Sequence, residues 1–303
     1  MRLVVAGGTG FIGSALCTRL LGEGHSLAIL SRAPSPGTTA ANKRSLRWDP
    51  PAAGEWERAL EGADGVINLA GEPIAAKRWT QRQKEKIRSS RVETTRALVA
   101  AIQRAREKPK VLINGSAVGY YGPHGDESLA EEGGPGGDFL ARVCMEWEDE
   151  ARKAERYGLR VIRLRTGIVL GRGGGALAKM TPPFKFFVGG PLGSGRQWMS
   201  WIHLEDEVGL ILALLRNTGA HGAVNATAPN PVTMRDFCRI LGRVLHRPSW
   251  TPVPAFALRL LLGEMADMLL AGQRVLPAVA QKLGYTFKYP TLYEALQACL
   301  PLS

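Results

Sequence analysis

Residues 6–13 read Ala-Gly-Gly-Thr-Gly-Phe-Ile-Gly, between the apolar run Leu3–Ala6 and the amphipathic stretch Phe11–Gly22. Gly8, Gly10 and Gly13 fit the spacing GxGxxG, and Gly7, Gly10 and Gly13 equally fit GxxGxxG. Glycine at such positions permits a tight turn, close backbone approach to a pyrophosphate, and close contact of helix with strand. The free N–H groups and the dipole of the following helix then face the phosphates. Strand, glycine loop and helix in this order constrain the chain to a dinucleotide-binding unit. Gly7, Gly8, Thr9, Gly10, Phe11, Ile12 and Gly13 are its candidate phosphate-binding residues.

The pattern continues downstream. Apolar runs at Leu27–Leu30, Leu46–Trp48, Val66–Leu69, Val111–Asn114 and Val161–Leu164 alternate with segments of helical spacing at Gly54–Glu61, Thr80–Arg106 and Asp138–Arg156. This predicts an α/β fold, a Rossmann-type doubly wound parallel sheet covered on both faces. Beyond about residue 170 the pattern loosens into glycine-rich loops at 171–175 and 189–195, with helices near 204–216, 233–245, 255–270 and 291–299. The expected division is a nucleotide-binding domain over 1–170, completed by residues from about 200–228, and a small, mostly helical, substrate-side lobe over 171–303. The glycine loop 189–195 is a candidate lid.

Composition narrows the class. Four well-separated cysteines (Cys17, Cys144, Cys238, Cys299) with no CxxC favour reduced thiols and a cytoplasmic location. No His/Cys/carboxylate cluster has metal-ligand spacing, so no metal is expected. Glycines interrupt the N-terminal apolar run where a signal peptide needs continuity. The apolar stretch Ala255–Gly272 is broken by Arg259, Glu264 and Asp267, so it reads as a buried helix pair and not a span, and no membrane association is expected. The net charge of +12 is unevenly placed. Residues 77–110 carry twelve Lys/Arg against three Glu, and residues 125–155 carry three Lys/Arg against ten Asp/Glu. Such opposed segments suit neighbours in one fold, or the faces of a homodimer contact, better than a nucleic-acid surface.

The second strand ends in Ser31-Arg32, where an NAD-binding unit would carry an acidic residue for the ribose 2′-OH. A hydroxyl and a guanidinium suit a 2′-phosphate, because Arg presents a planar fork of donors. NADP(H) is the expected cofactor.

These features, with Asn68-Leu69-Ala70-Gly71, resemble the extended and atypical short-chain dehydrogenase/reductase superfamily. Trp48-Asp49, NLAGEPI (68–74), SRVETT (90–95), SAVGYYG (116–122), GGDFLARVCMEWE (136–148), LGRGGGAL (170–177) and GGPLGSGRQWMSWIHLED (189–206) narrow the resemblance to one branch. That branch is the "NAD-dependent epimerase/dehydratase" group described as SDR39U-like, with the YfcH-type proteins of bacteria. The resemblance implies a Rossmann domain, NADP(H), and a substrate lobe from the C-terminal third. It further implies that Leu69, Ala70 and Gly71 pass behind the cofactor ribose, that Arg91 reaches a polar group of the cofactor, and that Asp49 lies near the adenine.

Reductases of this superfamily use Tyr-x-x-x-Lys on the helix after the fifth strand, with a Ser or Thr at that strand's end. Tyrosine, with a pKa of about 10, needs a neighbouring ammonium to act as a base near neutrality. In this chain Phe139 and Val143 are expected at the Tyr and Lys positions, and no Tyr-x-x-x-Lys occurs between 114 and 160. Ser116 and Tyr121 (or Tyr120) are then the catalytic candidates, the serine polarising a substrate oxygen and the tyrosine handling a proton. Arg165, at the end of the sixth strand, is a candidate contact to the nicotinamide amide or the substrate. The expected function is NADP(H)-dependent oxidoreduction of a small carbonyl or alcohol. The alternatives are a non-catalytic NADP(H) sensor or scaffold and, third, a nucleotide-sugar epimerase, which needs the missing pair twice per cycle and usually prefers NAD.

Overall fold

In the computed structural model, residues 1–33, 41–50 and 52–300 are described. Seven strands form one sheet: β1 (Arg2–Ala6), β2 (Ser26–Ser31), β3 (Lys43–Arg47), β4 (Gly65–Asn68), β5 (Val111–Ala117), β6 (Arg160–Thr166) and β7 (Gly222–Ala226). All neighbours run parallel, in the order β7-β6-β5-β4-β1-β2-β3. The chain winds outward in both directions from β1 and β4. The crevice between them, at the carboxyl ends of the strands, is where such sheets bind ligands.

Helices α1 (Phe11–Gly22), α2 (Gln81–Arg104), α3 (Phe139–Arg152), α4 (Gly175–Lys185) and α5 (Leu204–Arg216) connect or cover these strands. Side chains alternate along the strands, so Leu3, Val5, Ile113 and Ile162 pack under α1 and α5, whereas Val4, Val66, Leu112 and Val161 pack under α2 and α3. Each such buried aliphatic side chain contributes about 1.5–3 kcal/mol. Thr80 accepts from the Gln83 N–H and Asp138 from the Ala141 N–H, which sets where α2 and α3 begin. The opposed charges of these two helices meet inside the chain, with Arg88 to Glu146 at 2.6 Å and Arg96 to Glu150 at 2.7 Å. A dimer contact is therefore not needed to explain them.

The lobe contains α4, α6 (Met234–Leu245), α7 (Ala255–Leu262), α8 (Met265–Leu270), α9 (Ala278–Lys282) and α10 (Leu292–Cys299). Leu177, Phe184, Trp201, Phe237, Leu241 and Leu296 give it a core of its own. Helix α4 was hidden in the sequence by Pro182 and Pro183, which remove two backbone donors from its last turn. The segment 54–61, by contrast, is a short 3₁₀ helix over Glu55–Leu60. His203 caps α5 by accepting from the Glu205 N–H at 3.1 Å, a structural role. Next to it, Asp206 accepts from the Lys288 and Tyr289 N–H groups at 2.7 and 2.9 Å and so ties the C-terminal segment to α5.

Glu207 is fully buried beside Asp206. Its Oε1 accepts from Thr166 at 2.8 Å, and its Oε2 has no partner among the described residues. Burial pushes its pKa up to about 8, with Thr166 opposing. In the unfolded chain the carboxyl ionises near 4.5. Between these values the unfolded state binds fewer protons, so stability falls as pH rises, by up to about 1.4 kcal/mol per pH unit, and levels off above the folded pKa. Glu207→Gln is expected to remove most of this decline, raising the urea midpoint at pH 8 relative to the unaltered protein more than at pH 5. Removing the Asp206 carboxylate as Asp206→Ala is expected to cost about 3 kcal/mol, since two charge-assisted bonds are lost. Limited proteolysis should then open the chain first near residues 284–290.

Candidate functional site

The glycine loop is built without room for side chains. Gly7 has φ +77°, and a Cβ there would lie 2.7 Å from the Leu69 carbonyl. A Cβ on Gly13 would collide with the Gly7 carbonyl, and one on Gly8 would meet the Ile29 side chain at 2.8 Å. Gly10 is exposed and serves as the N-cap of α1 with no side-chain cap. The first backbone donors of α1 thus point into the crevice without a protein acceptor among the described residues, the arrangement that holds a pyrophosphate. Phe11 sits behind this turn, its ring enclosed by Gly171, Gly174 and Gly175. The loop LGRGGGAL thereby packs against the N-terminal turn of α1.

At the end of β2, Arg32 is exposed. The Ser31 hydroxyl bonds to Ala33 N and O within its own turn. Arg47 of β3 is in register with Ser31 and also exposed, so two guanidinium-bearing residues flank the strand end where one was expected. Asp49 is exposed and lines, with Leu46, Arg47 and Trp56, a cavity of about 300 Å³.

Beneath the crevice lies a buried polar lattice. Asn68 donates to Thr95 Oγ1 at 2.9 Å and to Asn114 Oδ1 at 2.7 Å, and its Oδ1 accepts from the Ala70 N–H at 3.2 Å. Trp147 donates to the same Thr95 hydroxyl at 2.9 Å. This lattice fixes Leu69 and Ala70 against Gly7. The Arg91 guanidinium bonds the Glu72 and Ile87 carbonyls at 3.0 and 2.9 Å and sits 3.1 Å from where a Gly71 Cβ would be. It makes no ion pair among the described residues.

The expected catalytic residues belong to a second buried network. Ser116 donates to Glu148 Oε1 at 2.7 Å, and Arg165 grips the same carboxylate through Nε at 2.8 Å and Nη2 at 3.0 Å. Arg165 also donates to the Tyr121 hydroxyl at 3.0 Å, which in turn donates to Asn225 Oδ1 at 2.7 Å. Tyr121 is fully buried, and burial raises its pKa above the ordinary phenol value despite Arg165. Burial also works against the charge on Arg165, yet Glu148 holds its pKa above the usual value. The structure therefore brings Ser116, Tyr121 and Arg165 together, but with their polar atoms bonded to one another's partners and away from solvent. Tyr120 differs. It is half-buried, the Arg165 guanidinium lies 3.5 Å from its ring centroid, and its hydroxyl has no partner among the described residues.

The helix register needs one correction. Phe139 does not face the end of β5; it packs edge-on against Trp79 with the Lys84 ammonium 4.9 Å from its ring, and Val143 is buried. The i, i+4 pair directed at the strand end is Leu140, against Gly119, and Cys144, beside Ser116 and Arg91. Burial pushes the Cys144 thiol up to about 12. Either register leaves the Tyr and Lys positions without a proton carrier suited to neutral pH. Residues not anticipated from the sequence are Arg47, Glu148, Asn225 and Glu131, whose Oε1 accepts from the Asn225 N–H at 2.9 Å.

Comparison with known proteins places this geometry. Residues 3–226 match the NAD dependent epimerase/dehydratase family, and residues 253–299 match a domain of unknown function, DUF1731. The chloroplastic epimerase family protein SDR39U1 homolog of Arabidopsis thaliana is 44% identical, over 99% of this chain and 87% of its own length. Epimerase family protein YfhF of Bacillus subtilis is 42% identical, over 98% of this chain and 97% of its own. The crystal structure of human epimerase family protein SDR39U1 with NADPH superposes with a TM-score of 0.89 at 35% identity, covering 99% of both chains. By sequence over its whole sheet and by fold over nearly all of its length, the chain belongs to the NAD dependent epimerase/dehydratase family, in its SDR39U-like branch.

Proposed function

We propose that this chain binds NADP(H) and is an oxidoreductase acting on a small carbonyl or alcohol compound, without the Tyr/Lys pair. The observation that carries the cofactor reading is the uncapped glycine turn of α1 with Arg32 and Arg47 exposed at the neighbouring strand ends. Backbone donors at Phe11, Ile12 and Gly13 hold the pyrophosphate, and the two arginines take the 2′-phosphate. Leu69 to Gly71 form the floor, with Arg91 beside the ribose and Asp49 toward the adenine. The human relative crystallised with NADPH supports the same choice.

When bound, the cofactor donates or accepts the hydride at its nicotinamide ring. The protein's own task is to hold the substrate oxygen and manage one proton. Ser116 and Tyr121 are engaged with Glu148, Arg165 and Asn225, so in this reading they position the strand end. Tyr120 is the tyrosine hydroxyl after β5 without a partner among the described residues, with Arg165 packed over its ring to hold it in place. A second reading, an NADP(H)-binding sensor without turnover, is favoured by the same closure of Ser116 and Tyr121 and by Leu140 and Cys144 on α3. Cofactor binding would then bias a conformation that another protein recognises.

One measurement tests the cofactor choice that both readings share, and a second separates them. In fluorescence titration NADPH is expected to bind at least about tenfold more tightly than NADH, and Arg32→Glu to erase that preference. NADH binding the unaltered protein as tightly as NADPH would end the 2′-phosphate assignment. NADPH oxidation over a panel of carbonyl compounds is expected to give turnover that drops about 10²-fold or more in Tyr120→Phe. Tyr121→Phe and Ser116→Ala are expected to lower thermal stability by about 1–3 kcal/mol and the rate by less than Tyr120→Phe. Tight NADPH binding without turnover anywhere on the panel selects the sensor.

A further inference from the structure

Helix α7 reads Ala-Phe-Ala-Leu-Arg-Leu-Leu-Leu, yet only Leu258 of its eight residues is buried. Phe256, Leu260 and Leu261 stand 74%, 77% and 67% exposed. Beyond the end of α4, Phe186 and Phe187 are 77% and 55% exposed, and Trp250 is 74% exposed. The segments carrying these aromatic residues are joined. Trp250 Nε1 donates to the Phe187 carbonyl at 3.4 Å, Thr251 N to Gly189 O at 3.2 Å, and Val253 N to Pro191 O at 2.9 Å. Helix α7 starts two residues beyond that ladder. Phe187 holds φ +63°, a left-handed conformation that a bulky residue adopts only under constraint. Scattered exposed apolar residues are ordinary; large ones gathered on two adjoining segments and the helix that follows mark an interaction surface.

Charge selects the partner. Residues 175–188 and 233–262, which carry α4, α6, α7 and the joining ladder, hold seven Lys/Arg against one Asp. Two of the seven are neutralised, Arg259 by Asp267 at 3.1 Å and Arg239 by Asp236 at 2.8 Å, while the other five have no carboxylate partner among the described residues, and the Arg247 guanidinium stacks 4.7 Å from the Phe187 ring centroid. A second copy of this chain would bring like charges together around the apolar residues. A bilayer with anionic headgroups supplies both the negative charge and the apolar interior, and interfacial aromatic residues suit its boundary. No helix among the described residues is long and apolar enough to cross a membrane, so contact would be peripheral. We propose that the face formed by the end of α4, the Trp250 segment and α7 docks on anionic phospholipid membranes. This goes beyond the cofactor reading and does not depend on it. It concerns peripheral contact alone and leaves the finding of no membrane-crossing helix among the described residues as it stands.

The test is co-sedimentation of the full-length protein with phosphatidylcholine vesicles and with vesicles containing about one-third phosphatidylglycerol, at about 0.1 M and about 0.5 M salt. Binding to the anionic vesicles is expected to exceed that to neutral ones by about tenfold, to fall at high salt, and to blue-shift tryptophan fluorescence. Phe187→Glu with Leu260→Glu should abolish it while NADPH affinity and melting temperature stay unchanged. Should that pair unfold, Lys185→Glu with Arg247→Glu provides the same comparison through charge alone. Absence of binding to anionic vesicles, or equal binding to both vesicle types in all variants, overturns the proposal. So does sedimentation velocity in which the unaltered protein is a dimer and the Phe187/Leu260 variant a monomer, because the occupant is then a second copy.

Discussion

One buried carboxylate organises the end of the sheet. Glu148 is 1% exposed and receives Ser116, Arg163 and Arg165, the last through two nitrogens. Removing a partner from such a cluster strands a charge in a dry interior, at about 3–5 kcal/mol. The cluster joins α3 to β5 and β6, and through Tyr121 and Asn225 it reaches β7 and the Leu276 carbonyl. The loops that follow β5 and β6 therefore leave the sheet from a fixed platform. Whatever binds above them meets a surface set by Glu148 more than by the loops' own sequences.

The sheet was legible because its signal is local. Continuous apolar runs, a glycine turn at the first crossover and caps such as Thr80 and Asp138 each act within a few residues. The glycine turn was legible for the same reason, since Gly7 and Gly13 answer to backbone atoms that any strand–turn–helix brings close. Ser116 and Tyr121 were harder. Their distance from Glu148 and Asn225 in sequence is 32 and 104 residues, and their meaning changes entirely once those partners are seen. A hint did exist. Arg163 and Arg165 alternate in the strand RVIRLRT, which also begins with Arg160, and guanidinium groups spaced along a mostly buried strand demand an acid near them.

The α3 register failed for a different reason. Helical periodicity tells which residues share a face, but a one-residue shift moves the face by only about 100°, and both Phe139/Val143 and Leu140/Cys144 look apolar enough to be inward. Packing against Gly119 and Ser116 decides between them. Helix α7 defeated the sequence in another way, because an apolar stretch is ordinarily read as core. Here the lobe closes around Phe237, Leu241 and Leu296 and leaves most of α7 outside.

The glycine turn of α1 has a consequence for how such a chain diversifies. The donors it offers to the proposed cofactor are main-chain N–H groups, which neither titrate nor change when side chains do. The arginines proposed to take the 2′-phosphate lie on exposed positions at the ends of β2 and β3, outside both cores. Holding and choosing are thus physically separated. Nucleotide preference can drift across a lineage through surface arginines alone, with the fold bearing none of the cost.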